Sequence, residues 1–284
     1  MASIRDIKRR RDSISSTEQI TKAMKLISTV KLQKSRAKAE ESKPYYTMMY
    51  ETIGSMLSKS DGIDHKYLRS GTSGRKAVIV ITSNRGLAGG YNNNIARLVC
   101  ADERLALEVT DVYAIGRKGK DALARKGYHI AADYSEVINE PLYRDASDIT
   151  MELLDAFGRE QISEIYLAYT SFKNTVTHVP TLKKLLPVEI EGGERKADQA
   201  LMNYEPDEDR VLDSIIPKYM SSLIYGALLE AVASENGARM TAMDSATNNA
   251  EEMIEELGLA YNRARQGAIT QELTEIISGA NAIS

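Results

Sequence analysis

Between Val78 and Ile95 the chain reads VIVITSNRGLAGGYNNNI, an apolar strand running into a glycine-rich turn that opens a helix. In open α/β sheets such a turn can hold a phosphate, because backbone N–H groups and the positive end of a helix both favour an anion. The spacing does not fit that use. A dinucleotide fingerprint needs G-x-G-x-x-G with an acidic residue about 20 positions on. Here Gly86, Gly89 and Gly90 give G-x-x-G-G, and the following strand, VYAIG, runs into Arg117 and Lys118. The nearest approach to a Walker loop, GRKGKD from Gly116, is too short between its glycines and ends in Asp121 where Mg²⁺ chemistry needs Ser or Thr. The expectation is a tight structural turn, with no cofactor bound.

Other chemistries are no better supplied. The histidines, His65, His129 and His178, are scattered, and Cys100 is the only cysteine, so neither an intrachain disulfide nor a structural zinc site is expected. No acid/base cluster suggests a catalytic residue. A formal charge of -3 suits an ordinary soluble protein, and no run of about 18 apolar residues is present to span a membrane. The start, MASIRDIKRRRDSISS, is rich in Arg and Ser as transit peptides are, yet runs unbroken into a helical pattern and reads as mature helix.

Three segments position these residues: 1–58, 71–193 and 207–284. From Ser3 to about Ser58 apolar residues recur at helical spacing, with Ile4, Ile7, Ile14, Ile20, Met24 and Ile27 as the stripe. Strand and helix patterns alternate from Arg75 to about Ile190, ending in an antiparallel-looking pair, which reads as a Rossmann-like α/β domain. Gly71 and Gly74 mark the leading linker and EGGERKADQ the trailing one. From Pro217, suited to a first helical position, to about Ile277 no further proline occurs. A helix of that length measures roughly 90 Å and needs a partner, since isolated helices are marginal. The partner available is the N-terminal helix.

The two long helices enter and leave the α/β domain, so they pair as an antiparallel coiled coil. A register with position sums of about 267 sets Ile7 against Ala260, Ile14 against Met253, Met24 against Met243 and Ile27 against Met240. It also sets Arg9, Arg10 and Arg11 beside Glu255 and Glu256, an interhelical charge seam in place of a nucleic-acid contact. Beyond about Arg265 the C-terminal helix has no partner, though Ile269, Leu273, Ile276 and Ile277 share one apolar face. Met, amides and small residues fill ARMTAMDSATNNAEEMIEEL, a surface able to touch partners without interlocking. Exposed apolar stripes mark interfaces.

At this point the sequence resembles, over essentially its whole length, the γ-subunit family of bacterial F-type ATP synthases. ITKAMKLISTVKLQKSRA, TSNRGLAGGYNNNI, ASENGARMTAMDSATNNA and RQGAITQELTEIISGANA stand in the family's order. The last carries its signature through Ile269, Thr270, Glu272, Glu275, Gly279 and Ala280. The inserted regulatory segment and redox cysteine pair of chloroplast-type relatives have no counterpart, so thiol switching is not expected.

The resemblance implies a non-catalytic rotor shaft. Its α/β domain would form a foot that grips the c-ring together with the ε subunit, and its coiled coil would rise through the α3β3 hexamer. Lys22, Met24, Arg265, Gln266 and Thr270 would meet the β subunits. The expected setting is the cytoplasmic face of the bacterial plasma membrane, peripherally bound. Two other classes fit the bare pattern: a free-standing coiled-coil structural protein with an α/β hinge domain, and a dinucleotide-dependent enzyme dimerised by its coiled coil. The glycine spacing argues against the second, the weak seam and unpaired apolar tip against the first.

Overall fold

The computed structural model describes residues 3–59, 65–175, 177–188 and 208–283. The EGGERKADQ linker and the segment ends at 193 and 207 lie outside these residues. The chain forms two compact units, Thr29–Arg239 and the pairing of Met1–Ser28 with Met240–Ser284. Both boundaries fall inside long helices, α1 (Ile4–Lys59) and α5 (Glu208–Ile283). Helix α5 starts upstream of Pro217, which is an interior residue and not the first helical one.

The larger unit is built on a five-stranded sheet. Its elements are β1 (Lys76–Ile81), α2 (Tyr91–Ala101), β2 (Thr110–Ile115), α3 (Arg117–Arg125), β3 (His129–Asp133), α4 (Tyr143–Gly158), β4 (Glu164–Phe172) and β5 (His178–Leu186). Strand order is β3-β2-β1-β4-β5, parallel except for the antiparallel β5. Side chains alternate between faces, and the sequence of β1 divides accordingly. Ala77, Ile79 and Ile81 join Ile149, Leu153 and Phe157 of α4 with Leu212, Ile216, Met220, Ile224 and Leu228 of α5. On the other face Val78 and Val80 join Ile95 and Val99 of α2 and Leu123 of α3. Both faces of β1 are covered, which explains why KAVIVI reads as a continuous apolar run.

The smaller unit is an antiparallel helix pair. A shielded line runs along α1 through Ile4, Ile7, Arg11, Ile14, Glu18, Thr21, Lys25 and Ser28, and along α5 through Met240, Met243, Thr247, Ala250, Ile254, Leu257, Tyr261 and Ala264. Both series step by three and four, the heptad spacing of a coiled-coil seam. The Thr21 and Thr247 hydroxyls meet across it at 2.8 Å, buried. Counting by sevens from that pair sets Ile14 level with Ile254 and Ile7 level with Tyr261.

The register is thus one residue away from the apolar-to-apolar matching of the sequence. Ile20 and Ile27 are 60% and 58% exposed, and Met253 is 50% exposed, so none is a seam residue. Ala260 is exposed as well, and Met243 comes level with Lys25 while Met24 lies half-buried beside the seam. The reason is a polar rung: aligning only Ile and Met overlooks two threonines whose hydroxyls meet across the seam while also bonding the Glu18 and Met243 carbonyls of their own helices. The charge seam at the basic run is also not formed as expected. Arg11 pairs with Asp12 at 3.6 Å and lies over the Tyr261 ring at 5.7 Å. Among the described residues no ion pair joins Arg9, Arg10 or Arg11 to Glu255 or Glu256.

Candidate functional site

In an open parallel sheet, ligands bind at the carboxyl ends of the strands where the strand order reverses. Here that point lies between β1 and β4, because β1 leads to β2 on one side and β4 takes its place on the other. Helix α5 lies across the crevice and narrows it to a cavity of about 220 Å³ at the start of α2. Glu230 of α5 accepts from Ser171 Oγ at 2.8 Å and from the Phe172 N–H at 3.3 Å, and Ser234 Oγ donates to the Thr170 carbonyl at 3.1 Å. Tyr91, the first residue of α2, donates its hydroxyl to the Ala231 carbonyl at 3.1 Å. Burial pushes the Tyr91 pKa well up, which keeps that proton in place.

The two glycine-rich turns are closed in the same manner. Ser83 and Asn92 bind each other across the first turn, Asn92 Oδ1 accepting from the Ser83 N–H at 2.9 Å. The Arg239 guanidinium reaches the Gly86 carbonyl at 3.4 Å and pairs with Glu235 at 2.7 Å. At the start of α3 the amides an anion would need are already used. The N–H of Arg117 goes to Asn84 Oδ1, that of Lys118 to the Ser83 carbonyl and that of Gly119 to Thr82 Oγ1. Gly116 has φ 105, and a Cβ there would stand 2.1 Å from the Thr82 carbonyl oxygen. Close backbone approach, not phosphate, requires that glycine.

The helix pair holds the surfaces left open. Lys22 is exposed and lies 3.6 Å from Glu18 and 3.7 Å from Glu251. Arg265, Gln266 and Thr270 are exposed on α5. The Thr270 hydroxyl donates to the Gln266 carbonyl at 2.9 Å, a bond within the helix that ties up its proton locally. Glu272, Glu275, Gly279 and Ala280 are exposed too, as are Ile269, Leu273, Ile276 and Ile277, the last two by 68% and 60%. The structure therefore brings Lys22 and Met24 onto one short stretch of α1, while Arg265, Gln266 and Thr270 lie further along α5, toward its end.

One surface escaped the sequence reading. Ile20, Leu26 and Ile27 form an exposed apolar strip on α1, Leu26 being 65% exposed. Apolar residues at helical spacing read as core, which is why the stripe expected from the sequence includes Ile20 and Ile27. The signal that separates them is phase: Ile7, Ile14 and Thr21 keep one heptad line, whereas Ile20 and Ile27 sit one residue, about 100°, around the helix. Lys25 and Asp244 form a cross-helix ion pair that the shifted register explains.

A family model described as ATP synthase matches residues 3–283. The ATP synthase γ chain of Lachnoclostridium phytofermentans is 64% identical, over the full length of both chains. A γ chain of Acetobacterium woodii, described as sodium ion specific, is 39% identical over 99% of each chain. Among solved structures, a chain of the Tetrahymena thermophila mitochondrial ATP synthase central stalk and c-ring matches with TM-score 0.59 and 25% identity, covering 80% of this chain and 99% of that one. A chain of the Euglena gracilis mitochondrial enzyme shares the fold at TM-score 0.71 and 17% identity, over 99% and 94% of the two chains. This chain belongs to the ATP synthase γ-chain family.

Proposed function

We propose that this chain is the central rotor shaft of an F-type ATP synthase, held at the cytoplasmic face of a bacterial plasma membrane. It couples ion flow through the c-ring to ATP synthesis or hydrolysis on the β subunits. It contributes no catalytic residue, and α, β, ε and the c-ring are its partners. None of its described helices is long and apolar enough to cross a membrane. The observation that carries the reading is the end of α5, where Ile269, Leu273, Ile276 and Ile277 stand exposed beyond the last seam residue. Such a stripe suits the apolar sleeve of a hexamer.

The mechanism follows from asymmetry. A helix pair with different side chains at every azimuth makes different contacts with each of three identical β subunits. Each β then shifts among its binding states by the difference in contact energy, which is all that coupling between sites requires. We assign the contacts with β to Lys22, Met24, Arg265, Gln266 and Thr270. Arg265 offers a planar fork of donors and Met24 a soft surface without hydrogen bonds.

The test is direct. The chain is assembled with α and β, and a probe is fixed to the α/β domain. ATP should drive rotation in one direction; hydrolysis with a stationary probe would overturn the rotor reading. Replacing Arg265 and Gln266 together by Ala should lower the ions moved per ATP while leaving assembly intact. An unchanged ratio would remove those two residues from the contact set.

A further inference from the structure

Among the buried side-chain nitrogen and oxygen atoms of the described residues, three lack a hydrogen-bond partner: Oγ1 of Thr170, and both Nδ1 and Nε2 of His178. They are close together. His178 begins β5 opposite Phe172 at the end of the β4–β5 hairpin, its ring centroid 6.0 Å from that of Phe172. The ring edge meets α5 at Gly237, where a Cβ would stand 2.7 Å from His178 Cε1 and 3.2 Å from Nε2. Any larger residue at 237 would displace the ring. A glycine inside a long helix is unfavourable in itself, and at 237 it makes room for the ring, whereas a Cβ at Gly258 or Gly267 of the same helix would meet nothing.

We propose that the hairpin end is fastened to α5 by the neutral ring of His178 seated in the Gly237 notch, and that a proton on the ring releases it. The geometry leaves an imidazolium no carboxylate to bind, the Thr175 carbonyl being the acceptor beside it. A cavity of about 220 Å³ beside the ring is lined by Tyr91, Asn94, Thr170, Pro180 and Ala238 together with Gly90, none of them acidic. The charged groups on the neighbouring elements are engaged elsewhere. On α5, Glu230 holds Ser171 and Phe172, and Glu235 holds Arg239. On α1, Arg36 and Glu40 hold each other. Lys173 in the hairpin would repel the cation, and Tyr91 of α2 remains neutral.

Burial accordingly holds His178 below the ordinary histidine pKa, with the nearby Thr175 carbonyl opposing the shift. The sign follows. The seat is fully favoured above about pH 6.5, the unperturbed value, where the ring is neutral whether seated or free. As pH falls below that, the free ring binds a proton that the seated ring cannot, so release gains up to about tenfold per pH unit until the lowered pKa is passed.

Hydrogen exchange of the full chain, corrected for the intrinsic pH dependence of exchange, tests this in peptides spanning Thr170 to Pro180. Protection should fall several-fold between pH 7.5 and pH 5.5. His178→Phe keeps a ring in the notch without a titrating nitrogen and should abolish that pH dependence. Gly237→Ala should lower protection of the hairpin at both pH values. Equal protection of the natural chain at the two pH values would overturn the proposal, as would the same acid loosening in His178→Phe.

Discussion

Helix α5 packs in two different ways along its length, and the contrast separates the part of the molecule that must be rigid from the part that must not be. Between Tyr219 and Ser234 no residue is exposed, and Leu212, Ile216, Met220, Ile224 and Leu228 are all at 0% exposure. Between Met243 and Ala264 one line of residues is shielded and the rest face outward. The first stretch is core, interdigitated on the sheet. The second is a narrow seam in which Thr247 and Ala250 occupy positions where Leu would hold more firmly. A fixed foundation and, on the rotor reading proposed above, a surface that slips past its surroundings call for these opposite chemistries.

The largest effect should come from the first stretch. Leu228→Ala removes a fully buried side chain from the sheet-facing core, at a cost of about 2 to 5 kcal/mol. Ile254→Ala, in the seam, should cost less because solvent and neighbouring side chains can close around the gap. Urea unfolding of the two variants, with hydrogen exchange to localise each change, compares them. Equal costs would mean that the seam is packed as tightly as the core, and the contrast would fail.

A smaller effect is expected where α5 closes the crevice. Tyr91→Phe deletes the hydroxyl that reaches the Ala231 carbonyl and should cost about 0.5 to 1.5 kcal/mol. It should not create affinity for a nucleotide, since Glu230, Ser234 and Arg239 still hold α5 across the crevice and the first turn of α3 is already hydrogen-bonded. Calorimetry with ATP and NAD on the natural chain and on this variant checks both statements. Binding tighter than about 0.1 mM, roughly 5.5 kcal/mol, would show that the crevice is a site after all.

Much of this was legible in the residues, and the exceptions have one cause. Strand and helix alternation, the antiparallel last pair and both long helices follow from apolar period, as KAVIVI and DITMELLDAF illustrate. The G-x-x-G-G spacing spoke against a phosphate cradle, but the residues that hold α5 across the crevice are contributed by Glu230 to Arg239, far along the chain and without a local motif. The coiled-coil register differs by one residue from the one that hydrophobicity alone predicts. Thr21, Lys25, Thr247 and Asp244 decide it through a hydrogen bond and an ion pair. A one-residue slip turned Ile20 and Ile27 from surface into imagined core. Patterns of apolar residues locate a helix well; they locate its phase only when the polar rungs are included.

The threonine rung offers a test of that phase at still smaller energy. Thr21→Val alone removes the contact across the seam but leaves the Thr247 hydroxyl its bond to the Met243 carbonyl, so it should cost about 0.5 to 1 kcal/mol, and changing both to Val should cost little more. The corresponding cysteine pair, Thr21→Cys with Thr247→Cys in a Cys100→Ser background, should oxidise readily. Adjacent seam positions approach the Cα separation of about 4.4 to 6.8 Å that a disulfide requires. Met24→Cys with Leu257→Cys, displaced by roughly 20 Å along the axis, should not. Oxidation of the second pair in preference to the first would discard the register.

The smallest effect belongs to the ion pair beside that rung. Lys25 and Asp244 are 41% and 47% exposed along their side chains, so water and salt screen their attraction, and Lys25→Met should change stability by about 1 kcal/mol or less. Charge at this level of the shaft should instead be felt by whatever passes it. If the helix pair slides against β as proposed, Lys25→Met and Asp244→Asn should alter the salt dependence of ATP-driven rotation more than they alter unfolding, because screening acts over about 10 Å at 0.1 M salt. A variant with markedly lower stability and an unchanged salt profile would place the pair among the structural clamps, and the seam would then resemble the core of the α/β unit more than the contrast along α5 allows.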